Sequence, residues 1–543
     1  MDGLDWTLLT CYLAGMVALS LWLGRRQSSG DDYYVGGRGL PWWAVGVSTM
    51  ATQSSANSFV GIPAFVALAA GGGLSWLQYE LAVPLGLIVV MLCLTPTMRE
   101  LRLVSIYAYL ERRFDRPTRL LLSGVFLLSR GLAAGAMIYA SAVVLSVCLG
   151  LSVAACILLV GCVTVLYDTL GGMAAVVWSD VVQMGVLFFG LLLCVWVATD
   201  AVGGFEAVLR ATPAERLQAF RPGWGLNDDA KSPFWGFLIG GFFLYISYYG
   251  VDQSQMQRQL AAPSVDGAKQ ALVLNAVVRF PLTVLYVVMG LTVGAAYRHA
   301  PALRAAVPAE HLDALVPHFV LQYLPSGARG LVFAAVLAAA MSTLDSALNS
   351  LSAATMRDFI APWLDRHRPL PEADARHARE LKWGKGTTVA WGGMLIAMAF
   401  LVSGMDVADT VVESINQIGS LFYGPLLAAF LSGVLDKRAR GPAVIVGVLL
   451  GVACNLWLWL GQPGVFWMWW NVSGLMVASL VTVGLSRMMA PPRPAQLQST
   501  TMNWAGLGAR ERAWRVRYVL LVLYFFLLLW VTAYVPGLLA QRL

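Results

Sequence analysis

The amino-acid sequence predicts an all-α polytopic membrane protein, with about 14 transmembrane helices by hydropathy. Of its 543 residues, 58% are hydrophobic and only 12% are charged, and the mean hydropathy is +0.68. Soluble domains typically contain about 25% charged residues. Apolar runs of about 20 residues, enough to cross a hydrocarbon core of about 30 Å, recur along the whole chain. This composition therefore excludes a soluble domain as the body of the protein.

The expected spans follow one another along the chain with short connections. They lie near residues 5–24, 42–70, 74–95, 120–148, 152–172, 173–199, 233–251, 271–299, 328–356, 386–404, 407–435, 441–460, 464–487 and 516–539. We expect an extra N-terminal helix and cytoplasmic loop over 1–41, a first repeat over 42–199, an extracellular loop over 200–232, a second repeat over 233–435 and additional helices over 436–543.

Two of these spans contain signs of a broken helix. The span 42–70 contains the polar stretch ATQSSANSFVGIP, and in the span 233–251 the pair Gly240 and Gly241 precedes LYISYYG. Irregular backbone at membrane depth is tolerated only where protein buries it or where it lines a cavity. Each of these spans is the first of five, and the two sets have opposite orientation. The order therefore predicts two inverted five-helix repeats with broken first helices and a solute site between them.

Basic residues are distributed unevenly among the loops. Alternate loops hold most of them, including Arg99, Arg102, Arg258 and Lys269, whereas the opposite loops hold few. The richer loops are expected to be cytoplasmic, so both termini should lie outside a plasma or inner membrane. Because loops between spans explain the net charge of +7, nucleic acid is not expected as a partner.

The span 328–356 contains a polar stretch, VLAAAMSTLDSALNSL, near its middle. Ala339, Ser342 and Ser346 recur at helical spacing and share one face, with Thr343 and Asp345 beside them. A lone hydroxyl in a span usually bonds the carbonyl one turn back. A carboxylate at mid-bilayer, however, costs about 2.5–3.5 kcal/mol and needs a compensating partner. Because hard cations prefer oxygen ligands, this stretch predicts a cation site.

Other charged residues within spans have two interpretations each. Asp180 either faces Asp345 and shares a cation or a proton with it, or is solvated at the membrane edge. Glu80 either accepts hydrogen bonds from a polar solute or is a bonded acid at the outer interface. Arg130 and Arg279 are expected to pair with acids or carbonyls near span ends, in structural roles.

Five segments, in the order SFVGIP, YLERRF, SDVVQ, STLDSALNS and GSLFYGPLLAAFLSGVL, resemble the sodium/solute symporter family. Its members include the sodium/galactose, iodide and multivitamin symporters. The resemblance implies the leucine-transporter fold, with two inverted five-helix repeats that work by alternating access. It also implies sodium as the coupling ion and no other cofactor.

The resemblance further implies a role for particular residues. A sodium site would be formed by the carbonyls of the first helix break and the polar face of span 328–356, from Ala51, Ser54, Ala339, Ser342 and Thr343. A possible second cation site comprises Asp180, Asp345 and Ser346. Many relatives have Ser, Thr or Ala at the position of Asp345, so a proton on this residue is the alternative to a second sodium ion.

Solute contacts are implied in the same way, at Gln53, Ser58, Glu80, Tyr245, Tyr248 and Gln417. Tyr248 matches the aromatic residue that closes the inner gate. Gln53, Ser58 and Tyr245 differ from the sugar-binding residues of the galactose relative. These differences remove galactose as the expected solute.

We therefore expect a secondary active transporter that brings a small polar organic solute or an anion into the cell with sodium, as a monomer or homodimer. The alternatives are a channel or a transport-derived sensor of the same fold. The sequence shows no repeated filter loop, and it ends soon after its last span, where sensor members carry a kinase. An intramembrane enzyme is not expected, because HExxH, GxGD and GxSG motifs are missing.

Overall fold

The computed structural model describes residues 1–228, 232–308, 311–403, 411–502, 508 and 511–541, and throughout these ranges the fold is helical. The α-helices are α1 Gly3–Gly24, α2 Gly30–Val35, α3 Trp42–Ala51, α4 Ala56–Ala67, α5 Val83–Val89, α6 Thr95–Glu100, α7 Tyr107–Arg113, α8 Arg116–Leu149, α9 Val153–Val202, α10 Phe205–Ala211, α11 Gly241–Val251, α12 Gln253–Ala261, α13 Val265–His299, α14 Pro301–Ala306, α15 Leu315–Tyr323, α16 Ala328–Ala354, α17 Ala361–His367, α18 Ala373–Ser403, α19 Val411–Leu435, α20 Gly441–Gly461, α21 Trp469–Arg487, α22 Pro494–Leu497 and α23 Arg515–Gln541. Short 3₁₀ or π turns cover Gly36–Arg38, Leu74–Glu80, Val90–Leu94, Ala214–Leu217, Gly236–Gly240, Leu312–Ala314, Thr355–Ile360 and Arg512–Trp514.

Eleven helical segments of the described chain are long and apolar enough to cross a membrane. The sequence predicts more spans, and the difference lies in three places. The 50-residue helix α9 combines the two predicted spans 152–172 and 173–199. The spans predicted to be broken, 42–70 and 233–251, consist of shorter helices. The protein is therefore polytopic and all-α, as predicted.

Helix α9 is interrupted at Gly172, where the sequence predicts one span to end. This residue has φ 54° and ψ −157°, a conformation that side chains with a Cβ rarely adopt. A Cβ at this position would lie 2.6 Å from the carbonyl oxygen of Tyr33. Glycine is therefore required here by both the backbone conformation and the close approach of α2.

The first broken span is interrupted where the sequence predicts. Helix α3 ends at Ala51 and α4 begins at Ala56. Ser55 has extended backbone angles, and its hydroxyl accepts a hydrogen bond from the Ser58 amide at 3.2 Å, which caps α4. The polar run between the two helices therefore forms a break with a defined cap.

The second broken span is interrupted at a different place from the prediction, which was wrong on this point. Gly240 and Gly241 keep helical angles, and a Cβ on Gly240 would lie 2.6 Å from the Met468 carbonyl oxygen. The break lies instead at Asp252, with ψ 125°, whose carboxylate accepts from the Ser254 amide at 2.8 Å. Gly240 thus permits close helix packing, and neither glycine breaks the helix.

Helix α12 follows that break and is buried along its whole length. The sequence prediction placed its Arg258 in a cytoplasmic loop, whereas the guanidinium is fully buried in the bundle. This prediction was wrong because QSQMQRQLA lacks the apolar run by which spans are recognised. The polar side chains of α12 bond to other helices instead, as with Gln257, whose amide reaches Asn349 at 2.7 Å.

Helix α16 lies at the centre of the bundle and contacts α1, α8, α9 and α18. Every residue over 332–354 is buried. Its many alanines and serines allow neighbouring helices to approach closely, as is typical of helix contacts in membranes. The polar stretch predicted to hold a cation is therefore shielded from both lipid and bulk water.

The YLERRF segment has a structural role. Arg113 is buried and donates from Nε to the Gly433 carbonyl at 2.9 Å and from Nη2 to the Asp436 carbonyl at 2.7 Å. These carbonyls are at the C-terminal end of α19, where the helix cannot satisfy them itself. The arginine therefore fixes α7 to the end of α19.

Candidate functional site

The two helix breaks line one cavity of about 140 Å³. Thr52 and Gln53 of the first break and Asp252 of the second contribute to its wall. Helix α8 contributes Arg130, and α16 contributes Thr343. The cavity thus lies where unwound backbone of both broken spans is exposed, as is typical of solute sites in transporters.

The predicted sodium ligands converge beside this cavity. The Ser342 hydroxyl lies 3.4 Å from the Ala51 carbonyl oxygen and 3.2 Å from the Ala339 carbonyl oxygen. The Thr343 hydroxyl is also 3.2 Å from the Ala339 carbonyl oxygen. Ser54 lies in the same helix break, and its amide donates to the Ala51 carbonyl at 2.9 Å. The structure therefore brings the predicted elements, α16 and the end of α3, together.

The chemistry of this cluster suits a monovalent hard cation. Its oxygens belong to hydroxyls and carbonyls, which carry no net charge and which such cations accept as ligands. Ala51 is the last residue of α3, and the C-terminal end of a helix carries a partial negative charge. Ala51, Ala339, Ser342 and Thr343 are all buried, so a bound cation would exchange its water shell for these oxygens.

The residues of the predicted second cation site also lie together. The Asp345 carboxylate accepts hydrogen bonds from the Tyr167 hydroxyl at 2.5 Å and from the Ser346 hydroxyl at 3.2 Å. The Ser346 hydroxyl and the Asp180 carboxylate are both bonded to Arg258, at 2.5 and 3.0 Å. The sequence prediction missed this arginine, which brings a positive charge into the cluster.

Five of the six predicted solute contacts line the cavity. These are Gln53, Ser58, Glu80, Tyr245 and Tyr248. Gln417 is not among the described residues that line it, although Gly419 and Tyr423 of the same helix are. A solute contact at Gln417 therefore stays a prediction.

Glu80 has its hydrogen-bonding capacity already engaged. Arg279 contacts one carboxylate oxygen at 2.9 Å, and the Tyr245 hydroxyl donates to the other at 3.0 Å. The structural pairing predicted for Arg279 is confirmed. Glu80 therefore lies at the cavity as a neutralised pair rather than as a free acceptor for a solute.

Arg130 differs from Arg279 in having unsatisfied donors. It is only 5% exposed, and its Nε and Nη2 atoms have no hydrogen-bond partner among the described residues. Its Nη1 atom lies 3.9 Å from the Asp252 carboxylate, beyond normal hydrogen-bonding distance. The predicted pairing with an acid is thus loose, and Nε and Nη2 are unsatisfied although the residue borders the cavity.

Comparisons with known proteins are consistent with this arrangement. The family model described as the sodium:solute symporter family matches residues 33–451. The chain belongs to this family. It is 30% identical to the human sodium/iodide cotransporter over 466 residues, which is 84% of this chain and 70% of that protein. It is 28% identical to a sodium/sialic acid symporter of Aliivibrio fischeri, covering 84% of this chain and 87% of that protein.

A solved structure shows the same architecture. The substrate-bound, outward-open form of a Na⁺-coupled sialic acid symporter superposes with a TM-score of 0.79 at 25% identity, covering 91% of this chain and 99% of the other. The protein is therefore a multi-pass sodium-coupled symporter of small solutes and not an enzyme, as the sequence analysis expects.

Proposed function

We propose that this sodium:solute symporter carries a small anion into the cell, with Arg130 as the anchor for its negative charge. The observation that supports this proposal is the pair of unsatisfied Nε and Nη2 donors on a buried guanidinium in the cavity wall. Relatives are named for iodide, sialic acid and monocarboxylates, all of which are anions. The common chemistry of these solutes is a negative charge.

The energetics of Arg130 favour an anionic ligand. A buried donor that lacks a partner costs about 1–3 kcal/mol. A carboxylate can accept from Nε and Nη2 together, because the planar guanidinium matches its two oxygens. Bound solute would therefore satisfy both donors in one interaction. Glu80 does not compete for this solute charge, since Arg279 neutralises it at 2.9 Å.

We propose that the coupling sodium binds between Ala51, Ser54 and the residues Ala339, Ser342 and Thr343 of α16. Thr343 also lines the solute cavity, so the two sites share a side chain. A ligand at either site would then favour the backbone arrangement that the other site needs. Such coupling is reciprocal. Sodium should therefore raise the affinity of the protein for the anion, and the anion should raise its affinity for sodium.

We propose a second cation beside Asp180, Asp345 and Ser346. Two carboxylates and one guanidinium, that of Arg258, leave one negative charge uncompensated when all are ionised. The Oδ1 atom of Asp180 has no hydrogen-bond partner in the described part of the chain. A buried, unbalanced charge is costly, and a second sodium ion would remove that cost.

We also propose the number of membrane crossings, the bounds of the two repeats and the side on which the termini lie, from the family and from the distribution of basic residues among the loops. Fourteen crossings result if α9 is counted as two spans and each broken helix as one, by the span length of about 20 residues. The regions 42–199 and 233–435 would form the inverted repeats, with the second broken span extended from 233–251 through α12. Both termini would then lie outside the cell membrane.

The test is uptake into proteoliposomes that contain the purified protein. A panel of labelled monocarboxylates, inorganic anions, sugars and amino acids would be measured with an inward sodium gradient and with potassium in its place. We expect sodium-dependent uptake of at least one anion, and loss of that uptake in Arg130→Gln. Arg210→Gln, at an exposed arginine of α10, is the matched control. Transport of neutral solutes alone, or full anion uptake by Arg130→Gln, would contradict the anion assignment.

A further inference from the structure

Four charged side chains face the cavity within the described residues, and they form two unequal pairs. Glu80 and Arg279 form a close pair at 2.9 Å, supplemented by a second contact at 3.1 Å. Arg130 and Asp252 form an open pair at 3.9 Å. The close pair carries no net charge. The charge that a solute encounters is therefore set by the open pair.

Asp252 is held in place next to Arg130. One carboxylate oxygen accepts from the amide and the hydroxyl of Ser254, at 2.8 and 2.5 Å. The other oxygen accepts from the Tyr423 hydroxyl at 3.4 Å. Asp252 is 4% exposed and caps α12, so it cannot swing away without loss of that cap. A fixed negative charge therefore stands beside the anchor for the solute.

We infer that Asp252 makes the cavity selective for monoanions over dianions, an inference that rests on the proposed role of Arg130. One carboxylate of a solute would pair with the Arg130 guanidinium, whose Nε and Nη2 donors are unsatisfied, while Asp252 remains on the Nη1 side. A second carboxylate meets no free cation among the described cavity residues. It meets Asp252 instead, in a small space from which most water is excluded.

Electrostatics in such a space are strong enough to select by charge. Two like charges about 4 Å apart repel by about 4 kcal/mol at the effective dielectric constant of about 20 that is typical of protein sites. Relaxation of the solute and residual water reduce this value. We therefore expect a preference for a monoanion over a dianion of the same shape of at least tenfold.

The probes are succinamate and succinate, which have nearly the same shape but carry one and two carboxylates. Thermal stability of the purified full-length protein would be measured against each probe at equal sodium concentration, with both carboxyl groups of succinate ionised. In the wild type, succinamate should bind at least tenfold more tightly than succinate. In Asp252→Asn this ratio should fall to about threefold or less, because Asn keeps an oxygen for the α12 cap but carries no charge.

The control is Ser254→Ala, which weakens the cap and keeps the charge. It should retain the wild-type ratio, and a ratio that falls equally in both variants would assign the effect to helix geometry and overturn the inference. So would an unchanged ratio in Asp252→Asn, or equal binding of both probes by the wild type. If neither probe binds, Arg130 is not a site for small carboxylates and the inference fails with it.

A parallel comparison of sodium with choline, without any probe, tests sodium binding separately. If sodium stabilises the protein but the two probes do not show the expected affinity ratio, only the inferred charge selectivity is contradicted. Loss of the sodium effect as well would contradict the proposed sodium site.

Discussion

Simultaneous replacement of Ser342 and Thr343 by Ala should selectively weaken sodium coupling. Both hydroxyls lie within 3.2 Å of the Ala339 carbonyl, and that of Ser342 is 3.4 Å from the Ala51 carbonyl. Alanine keeps the helix and its packing but removes two of the oxygens that a sodium ion would contact. The variant should therefore fold, bind solute weakly and require more sodium.

The size of the effect follows from the lost ligands. An interaction of a hydroxyl with a charged partner contributes about 1.5–3 kcal/mol. Thr343 borders the cavity, so water can replace part of its contribution, whereas Ser342 is 1% exposed and is harder to replace. A tenfold rise in the sodium concentration for half-maximal transport corresponds to about 1.4 kcal/mol, so tenfold is the minimum expected.

The assay is anion uptake into proteoliposomes as a function of external sodium. Ser350→Ala is the matched control, because its hydroxyl bonds only within α16, to the Ala347 carbonyl at 2.9 Å, in the described contacts. The control should keep the wild-type sodium dependence. If the double variant is well folded and its sodium dependence is unchanged, these hydroxyls do not bind the coupling ion.

Three further variants test the cavity and the charged cluster. Tyr248→Ala should weaken solute binding or uncouple solute flux from sodium flux. Tyr248→Phe keeps the ring and should have a much smaller effect, from loss of the hydroxyl's bond from Gln255, worth about 1 kcal/mol, and of its contact with Arg130. Equal damage from both would argue against a space-filling gate. Asp345→Asn should lower the sodium:solute ratio, measured from reversal potentials, from two to one. If the wild type already has a ratio of one and the variant loses only the pH dependence of transport, Asp345 carries a proton instead. Asp180→Asn should lower the free energy of unfolding of the purified protein by about 3–5 kcal/mol, because Arg258 is left unpaired. The double variant Asp180→Asn with Arg258→Gln should recover part of this lost stability. Additive losses from the two substitutions would show that the two side chains are not coupled.

Hydropathy predicts most of the architecture because a span must be apolar along its length. The positions of α8, α13, α16 and the interruption at Gly172 follow from the sequence. The break at Ala51 also follows, since its polar residues stand within an otherwise apolar run. Features that depend on apolar length alone are therefore well predicted.

Helix α12 was missed because its burial depends on polar partners. Arg258 bonds to Ser48, Asp180 and Ser346, three residues that lie on three other helices. No local pattern reveals such partners, and the positive-inside rule then assigned the arginine to a loop. The signal that was available is Asp252 directly before a short polar run, which matches a helix N-cap.

The two cavity arginines show a similar limit. Both interrupt apolar spans, and the sequence assigns both to structural pairs. Arg279 is paired as predicted, whereas the acid next to Arg130 stops 3.9 Å from Nη1, and Nε and Nη2 have no hydrogen-bond partner in the described residues. The difference between an arginine in a close ion pair and one with unsatisfied donors is one of distance across the bundle, which residue types alone do not specify.

Helix α12 offers a physical route for coupling between solute and ions. Its N-terminal cap, Asp252, stands next to Arg130 at the solute cavity, and six residues later Arg258 bonds to Asp180 and Ser346 in the cation cluster. Six residues of helix span about 9 Å, a distance over which a helix moves as a rigid rod. On the proposed assignments, an anion at Arg130 would change the charge balance at one end of this rod, and a cation beside Asp180 would change it at the other. Each ligand would then bias the position of the same short helix, which is the condition for two sites to be coupled in free energy.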